Sequence, residues 1–176
     1  QQLWAESLGK HHLQDKGEKA TGPTPLAALG ARDQHSLLQL FMEGPRDKVV
    51  LFVKVEDHES EVVIPVRHQD LGEELSYLRG HTMGQLLAAE WQATAEALRR
   101  AGCPNTTIHL PAVRPDTMGQ LLMMLEITTV IAAELYGVDP LGQPGVELGK
   151  RLTYDLMNQK VSSKPDTEES DSEWMI

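Results

Sequence analysis

The chain has 176 residues, 40% of them hydrophobic, which is the length of one ordinary domain with enough apolar material to bury a core. Against 26 acidic residues it sets 16 Lys and Arg, a formal net charge of −10 that speaks against nucleic acid as a partner, because phosphate-backbone binders carry a basic surface. Uninterrupted apolar runs far short of the roughly 20 residues that cross a bilayer, with no signal-like opening, predict no membrane partner, and the lone Cys103 predicts a reducing, cytoplasmic setting.

In chain order, residues 1–30 predict a short helical or extended start and then a loop, since Gly17, Gly22, Pro23 and Pro25 break any long period. Leu37, Leu38, Leu40 and Phe41 recur at helical spacing, predicting a helix over 34–42 that Gly44-Pro45 stops. The β-branched run Lys48–Val55 suits a strand of a parallel sheet buried on both faces, and Glu61–Val66 reads as a second strand or extended arm. Two longer helices start alike, with Thr82-Met83-Gly84-Gln85 and Thr117-Met118-Gly119-Gln120, a repeated start rather than a repeat architecture. In the first, Met83, Leu87, Trp91, Ala95 and Leu98 make one apolar stripe for packing on the sheet. In the second, Leu121 to Tyr136 is apolar almost all round, as in a core or interface helix. Between them Thr106–Leu110 reads as a strand closed by Pro111 and Pro115. A last helix is expected from Pro144 to Asn158, and residues 159–176 as a flexible acidic tail. Strands alternating with helices give the fold class: α/β, a layered sandwich with a mostly parallel sheet flanked by helices.

Read by composition, the polar candidates have ordinary explanations. Glu6, followed by a flexible Gly9 and Lys10, reads first as a solvated glutamate, and Lys150 as a solvated lysine on a helix flank. His35 sits at a loop-to-helix junction where Asp33 is placed to cap the helix, although imidazole is also a ready proton carrier near neutrality. His11 and His12 are adjacent and point apart, so they lack the spacing of a metal pair, and no cluster of thiols or carboxylates has ligand spacing: no metal is expected. Glu126 on the apolar helix is expected to be paired, and Cys103 has no basic neighbour to activate it as a nucleophile.

Three segments together alter that reading. Ala5-Glu6-Ser7-Leu8-Gly9-Lys10, Asp33-Gln34-His35-Ser36 followed by Gln39, and Gln143-Pro144-Gly145-Val146-Glu147-Leu148-Gly149-Lys150 resemble, in order and separation, motifs of the phosphoglucose isomerase (glucose-6-phosphate isomerase) family. Leu135–Pro140 leading into Gln143 is similar to its bacterial branch, and the resemblance covers residues 1–158. It implies a C-terminal sugar-isomerase-type domain over those residues. It implies an aldose-ketose isomerase acting on glucose 6-phosphate and fructose 6-phosphate through ring opening and a cis-enediol, in glycolysis and gluconeogenesis.

By the same resemblance Glu6 is the base that moves the proton between C2 and C1, His35 helps open the pyranose ring, Lys150 lies near the ring oxygen, and Gln143 lies near the phosphate. A homodimer in which the histidine comes from the neighbouring subunit is implied, and no metal or organic cofactor. Gly142 departs from the family, where an acidic residue commonly precedes the glutamine. The family's Ser/Thr-rich phosphate loop, a second essential basic residue and a first sugar-isomerase domain lie upstream of the matching motifs. Together with Gln1 in place of an initiating Met, this predicts a C-terminal piece with an incomplete site, inactive by itself. The alternative is a non-catalytic phosphosugar-binding or protein-interaction module of the same fold.

Overall fold

The computed structural model describes residues 1–11, 20–65 and 73–162. In chain order the elements are helix α1 (Gln2–Leu8), strands β1 (Lys10–His11) and β2 (Ala20–Thr21), helix α2 (Arg32–Glu43), strand β3 (Val50–Asp57), a 3₁₀ turn (Glu73–Leu78), helix α3 (Met83–Arg100), strand β4 (Asn105–Ala112), and helices α4 (Pro115–Tyr136) and α5 (Pro144–Ser162). They belong to two units, one of residues 25–128 with Gln1, the other of residues 2–24 and from Thr129 onward, so α4 contributes to both.

In the first unit β3 and β4 pair in parallel, in a register running from Val50–Asn105 to Asp57–Ala112. The crossover helix α3 lies between them in sequence, the βαβ arrangement that parallel pairing requires. Its start is fixed by a capping box: the Thr82 hydroxyl accepts the Gln85 N–H at 3.1 Å, and the Gln85 side chain accepts the Thr82 N–H at 3.0 Å. The matching Thr117 does something different. Because Pro115 opens α4, Thr117 lies within the first turn, where its hydroxyl accepts the Arg114 N–H at 3.1 Å and donates to Ala112 O at 2.5 Å. The similar tetrapeptides thus occupy different helix positions.

Several sequence expectations are corrected. Pro111 does not close β4, which pairs through to Ala112: a strand with an open edge tolerates a missing N–H. Of the two readings for 61–66, Val62–Ile64 fits the extended arm rather than the strand, forming an isolated bridge from Val63 to Thr82, and residue 66 lies outside the described residues. β3 alternates rather than being buried on both faces: Phe52 is half-buried, but Leu51 and Val53 are about half exposed. On the face that carries α3, Trp91 Nε1 donates to Thr107 Oγ1 at 3.2 Å, and the Lys54 ammonium lies 5.0 Å from the Trp91 ring centroid. The His109 ring meets Trp91 edge-on at 5.6 Å and bonds Glu56, which also pairs with Lys54. The α3 stripe packs from its middle onward: Trp91 and Ala95 are half-buried and Leu98 is fully buried, whereas Met83 and Leu87 are exposed. Just past it Cys103 is buried, its amide donating to Leu98 O at 2.9 Å and its thiol 3.8 Å from Lys48 O.

In the second unit the core is small. Leu8 and Ala133 are fully buried together with Val138, and Trp4 and Ala132 pack against them. Apart from this contact α4 is mostly exposed, with Leu122, Ile127, Val130, Ile131 and Leu135 open rather than buried. Glu126 is likewise exposed, so it needs no ion-pair partner. α4 has 22 residues and an 18-residue window with a mean hydropathy of 1.4, long and apolar enough to cross a membrane by length and composition, although Glu126, Thr128 and Thr129 keep its uninterrupted apolar runs short. α5 runs four residues past Asn158 to Ser162, and the rest of the acidic tail lies outside the described residues.

Candidate active site

Glu6 occupies the last turn of α1, and the elements around it explain why it holds its place. Ser7 and Leu8, next in sequence, are buried, and the Gly9 N–H closes the helix on Ala5 O at 3.1 Å. Glu6 is half-buried, and its carboxylate accepts a 2.7 Å hydrogen bond at Oε1 from Gln2 Nε2, one helical turn earlier. Behind it Gly22 comes so close that a Cβ would lie 2.5 Å from Leu8 O, and its φ of +112° is one that L side chains rarely adopt. Glycine is therefore the residue that lets β2 close on the segment following Glu6.

Lys10 ties this segment to the other end of the unit. It pairs with Thr21 across the hairpin, and its ammonium donates to Asp139 O at 2.6 Å and to Leu141 O at 2.8 Å. Asp139 Oδ1 in turn accepts the Leu141 N–H at 2.9 Å. Gly142 follows at φ +71°, a left-handed turn that suits glycine. Gln143 immediately precedes α5, is exposed, and its carbonyl accepts the Val146 N–H at 3.1 Å.

Lys150 lies two turns into α5, exposed, and donates to Glu147 Oε1 at 2.8 Å. An exposed i,i+3 pair of this kind contributes less than about 1 kcal/mol, so the ammonium can turn to an anionic ligand at little cost. Gly145, Gly149, Lys150, Thr153 and Tyr154 line a shallow depression along α5, and one helix supplies all of its walls. No ion pair joins Glu6 to Lys150 among the described residues.

His35 belongs to the other unit. Asp33 is not the helix cap expected from the sequence, because α2 begins earlier, with Ala31 at the cap position and no side-chain cap bond. Instead Asp33 lies inside the first turn, where Oδ2 accepts the Leu29 N–H at 2.7 Å and Arg32 bonds both oxygens. Those bonds, from the Arg32 guanidinium first and the Leu29 amide second, hold its carboxyl below the usual carboxylate range. Gln34 turns inward and donates to Thr94 Oγ1 at 2.7 Å, docking α2 on α3, which leaves His35 on the exposed face. Structure thus places Glu6, Gln143 and Lys150 in one unit and His35 in the other. Among the described residues no group of three or more His, Cys, Asp or Glu is arranged to hold a metal ion.

The sequence model of the family described as phosphoglucose isomerase matches residues 1–174. This chain belongs to the phosphoglucose isomerase family. Within that family it is similar to the glucose-6-phosphate isomerase of Rubrobacter xylanophilus, with 50% identity over 90% of this chain and 34% of the relative. It is 44% identical to that of Carboxydothermus hydrogenoformans over 90% of this chain and again 34% of the relative. A crystal structure of a hypothetical protein from Thermus thermophilus superposes with a TM-score of 0.82 at 44% identity, covering 89% of this chain and 36% of the other. The chain therefore spans about a third of the length of the curated phosphoglucose isomerase relatives it matches.

Proposed function

We propose that this chain contributes the Glu6, His35, Gln143 and Lys150 side chains to an isomerase that interconverts glucose 6-phosphate and fructose 6-phosphate, and that a protein of its relatives' full length carries the activity. The observation behind this reading is the phosphoglucose isomerase match over residues 1–174. In the proposed reaction His35 passes protons at the ring oxygen and the C1 hydroxyl as the pyranose opens. Glu6 takes the C2 proton; the released electron pair forms the C1–C2 double bond while the C1=O pair moves onto O1, which gains a proton, and the product is a cis-enediol. Return of the Glu6 proton to C1, with loss of the O2 proton as the double-bond electrons re-form a carbonyl at C2, yields the ketose. A carboxylate suits this task because the proton beside a carbonyl is weakly acidic and the base must also give it back. Lys150 balances negative charge near the ring oxygen, and Gln143 addresses the phosphate. All of this uses the chain's own side chains.

The active form proposed is a homodimer with shared sites. Its support is the exposed apolar side of α4, including Val130, Ile131 and Leu135. Residues 1–176 alone should turn over negligibly, because the binding energy needed to orient the sugar comes from more surface than one third of a relative supplies.

The experiment is Glu6→Gln in a protein of the relatives' full length. Exchange of the substrate C2 hydrogen with deuterated solvent is followed by NMR beside a binding titration. Exchange should fall by about 10²–10⁴-fold or more while binding persists. Exchange at the wild-type rate removes Glu6 as the base. Binding of the sugar phosphate without turnover by the wild-type protein would favour a non-catalytic phosphosugar-binding or protein-interaction module.

A further inference from the structure

We infer that Lys10 is a positioning residue for the proposed isomerisation: its ammonium clamps the 139–141 loop and so fixes Gln143 and the start of α5 relative to the segment that carries Glu6. The inference rests on the isomerase reading, but its core is a geometric claim that can be tested apart from turnover.

The ammonium of Lys10 is not spent on a carboxylate. It donates to two main-chain carbonyls, Asp139 O at 2.6 Å and Leu141 O at 2.8 Å, across a sequence separation of 129 and 131 residues. Hydrogen bonds with a charged donor are the stronger kind, and an ammonium can serve two carbonyls from one nitrogen, a geometry that differs from the planar fork of a guanidinium. Among the described residues the other holds on the loop are near in sequence: buried Val138 at its start, the Leu141 N–H on Asp139 Oδ1 and the left-handed turn at Gly142.

On the other side the lysine is itself fixed. Lys10 lies one residue past Gly9 in a two-residue strand paired with Ala20–Thr21, and Gly22 presses on Leu8 O too closely for any side chain. Glu6 sits four residues before Lys10, and Gln143 two residues after Leu141. A shift of either end is therefore transmitted through the ammonium to the other. The commitment of the amine to two carbonyls assigns it to holding the frame rather than to touching the sugar. It also accounts for the lysine of the Ala5–Lys10 segment, for which composition offers no task beyond solvation.

The test uses Lys10→Met, which keeps the length of the side chain and removes its donors, and Lys10→Arg, which keeps charge and donors but changes their geometry. Both are made in the full-length protein. Amide exchange of Leu141 and Val146 is read by NMR, and kcat and KM are measured for fructose 6-phosphate. Lys10→Met should speed exchange of these amides about ten- to hundredfold and lower kcat about ten- to hundredfold, with KM changed less than about threefold, as expected for lost orientation rather than lost binding. Lys10→Arg should fall between wild type and Lys10→Met in both readouts, which also covers the case in which Lys10→Met does not fold.

Unchanged amide exchange in both variants overturns the clamp whatever the enzyme does. Faster exchange with unchanged kcat overturns the positioning role, and so does a rise in KM at constant kcat. Absence of turnover in the wild-type protein instead overturns the isomerase reading and the positioning role with it, while the exchange measurement still decides whether the clamp exists.

Discussion

Replacing Leu8 by Ala should cost the second unit several kcal/mol, and the structure sets the size of the effect. Leu8 is fully buried against Ala133 and Val138, with Trp4 and Ala132 around them. The substitution removes three carbons from this contact, about 2.4 kcal/mol in transfer free energy at roughly 0.8 kcal/mol per carbon. The void adds to this. Ala133 already has the smallest apolar side chain that could line it, and Val138 is fixed by its amide bond to Ala133 O at 3.0 Å, so little can move inward. A total of about 3–4 kcal/mol follows, inside the usual range for Leu→Ala at buried sites. The assay is a urea titration read on the amide signals of Gly9 and Val138, whose hydrogen bonds lie on either side of the core. Leu156→Ala, at a residue 60% exposed on α5, is the control and should stay within about 0.5 kcal/mol. A Leu8→Ala cost below about 1 kcal/mol would refute the claim that this contact holds α1, and Glu6 with it, in place.

Gly22→Ala should destabilise by about 2–4 kcal/mol in the same titration, from a disfavoured left-handed backbone and the clash with Leu8 O together; a neutral result would mean that β2 does not approach α1 so closely. Thr82→Ala should cost about 1 kcal/mol by urea unfolding, the usual worth of a side-chain cap, and an effect confined to a few tenths would show that the capping box is not maintained. On α3, hydrogen bonds from Arg99 and then Arg100 lower the Glu96 carboxyl from 4.5 to about 2. A depressed carboxyl stabilises the folded chain above its unfolded value and ceases to do so as pH falls through its folded one. Glu96→Gln should therefore lower the melting temperature at neutral pH, by a margin that shrinks between pH 4.5 and about 2; a margin independent of pH would show that the charge is not involved.

What the sequence reveals and what it hides divides along contact range. The helix around Leu37–Phe41 and the strand through Val50–Val55 are legible because periodicity and β-branching are local properties, and both form. Thr82 and Thr117 open similar tetrapeptides yet play different parts, because Pro115 starts α4 before its threonine is reached. Pro111 looked like a strand end because the open edge that accommodates it is a property of the sheet and not of the strand. α4 looked buried all round because composition reports how apolar a helix is, not how much of it finds a partner. At the candidate site the roles proposed for Glu6, His35, Gln143 and Lys150 rest on the resemblance of their motifs to the family, since their composition and exposure fit ordinary surface residues. Lys10 had no sequence signal of its own: its two acceptors lie about 130 residues away and are backbone atoms, which no pattern of side chains marks.

The single cysteine supplies a clock. At 4% exposure between the end of α3 and the start of β4, Cys103 can meet a thiol reagent only in molecules where that corner has come apart. Where closing outpaces modification, its labelling rate divided by that of an unprotected thiol is the equilibrium constant for opening. The reading is specific to the unit of residues 25–128, since that is where the sulfur resides. A substitution that loosens only the neighbourhood of Leu8 leaves the clock running at its old pace if the two units open separately, and speeds it if they open as one. One native side chain thus times the cooperativity of the two units without any substitution to introduce a label.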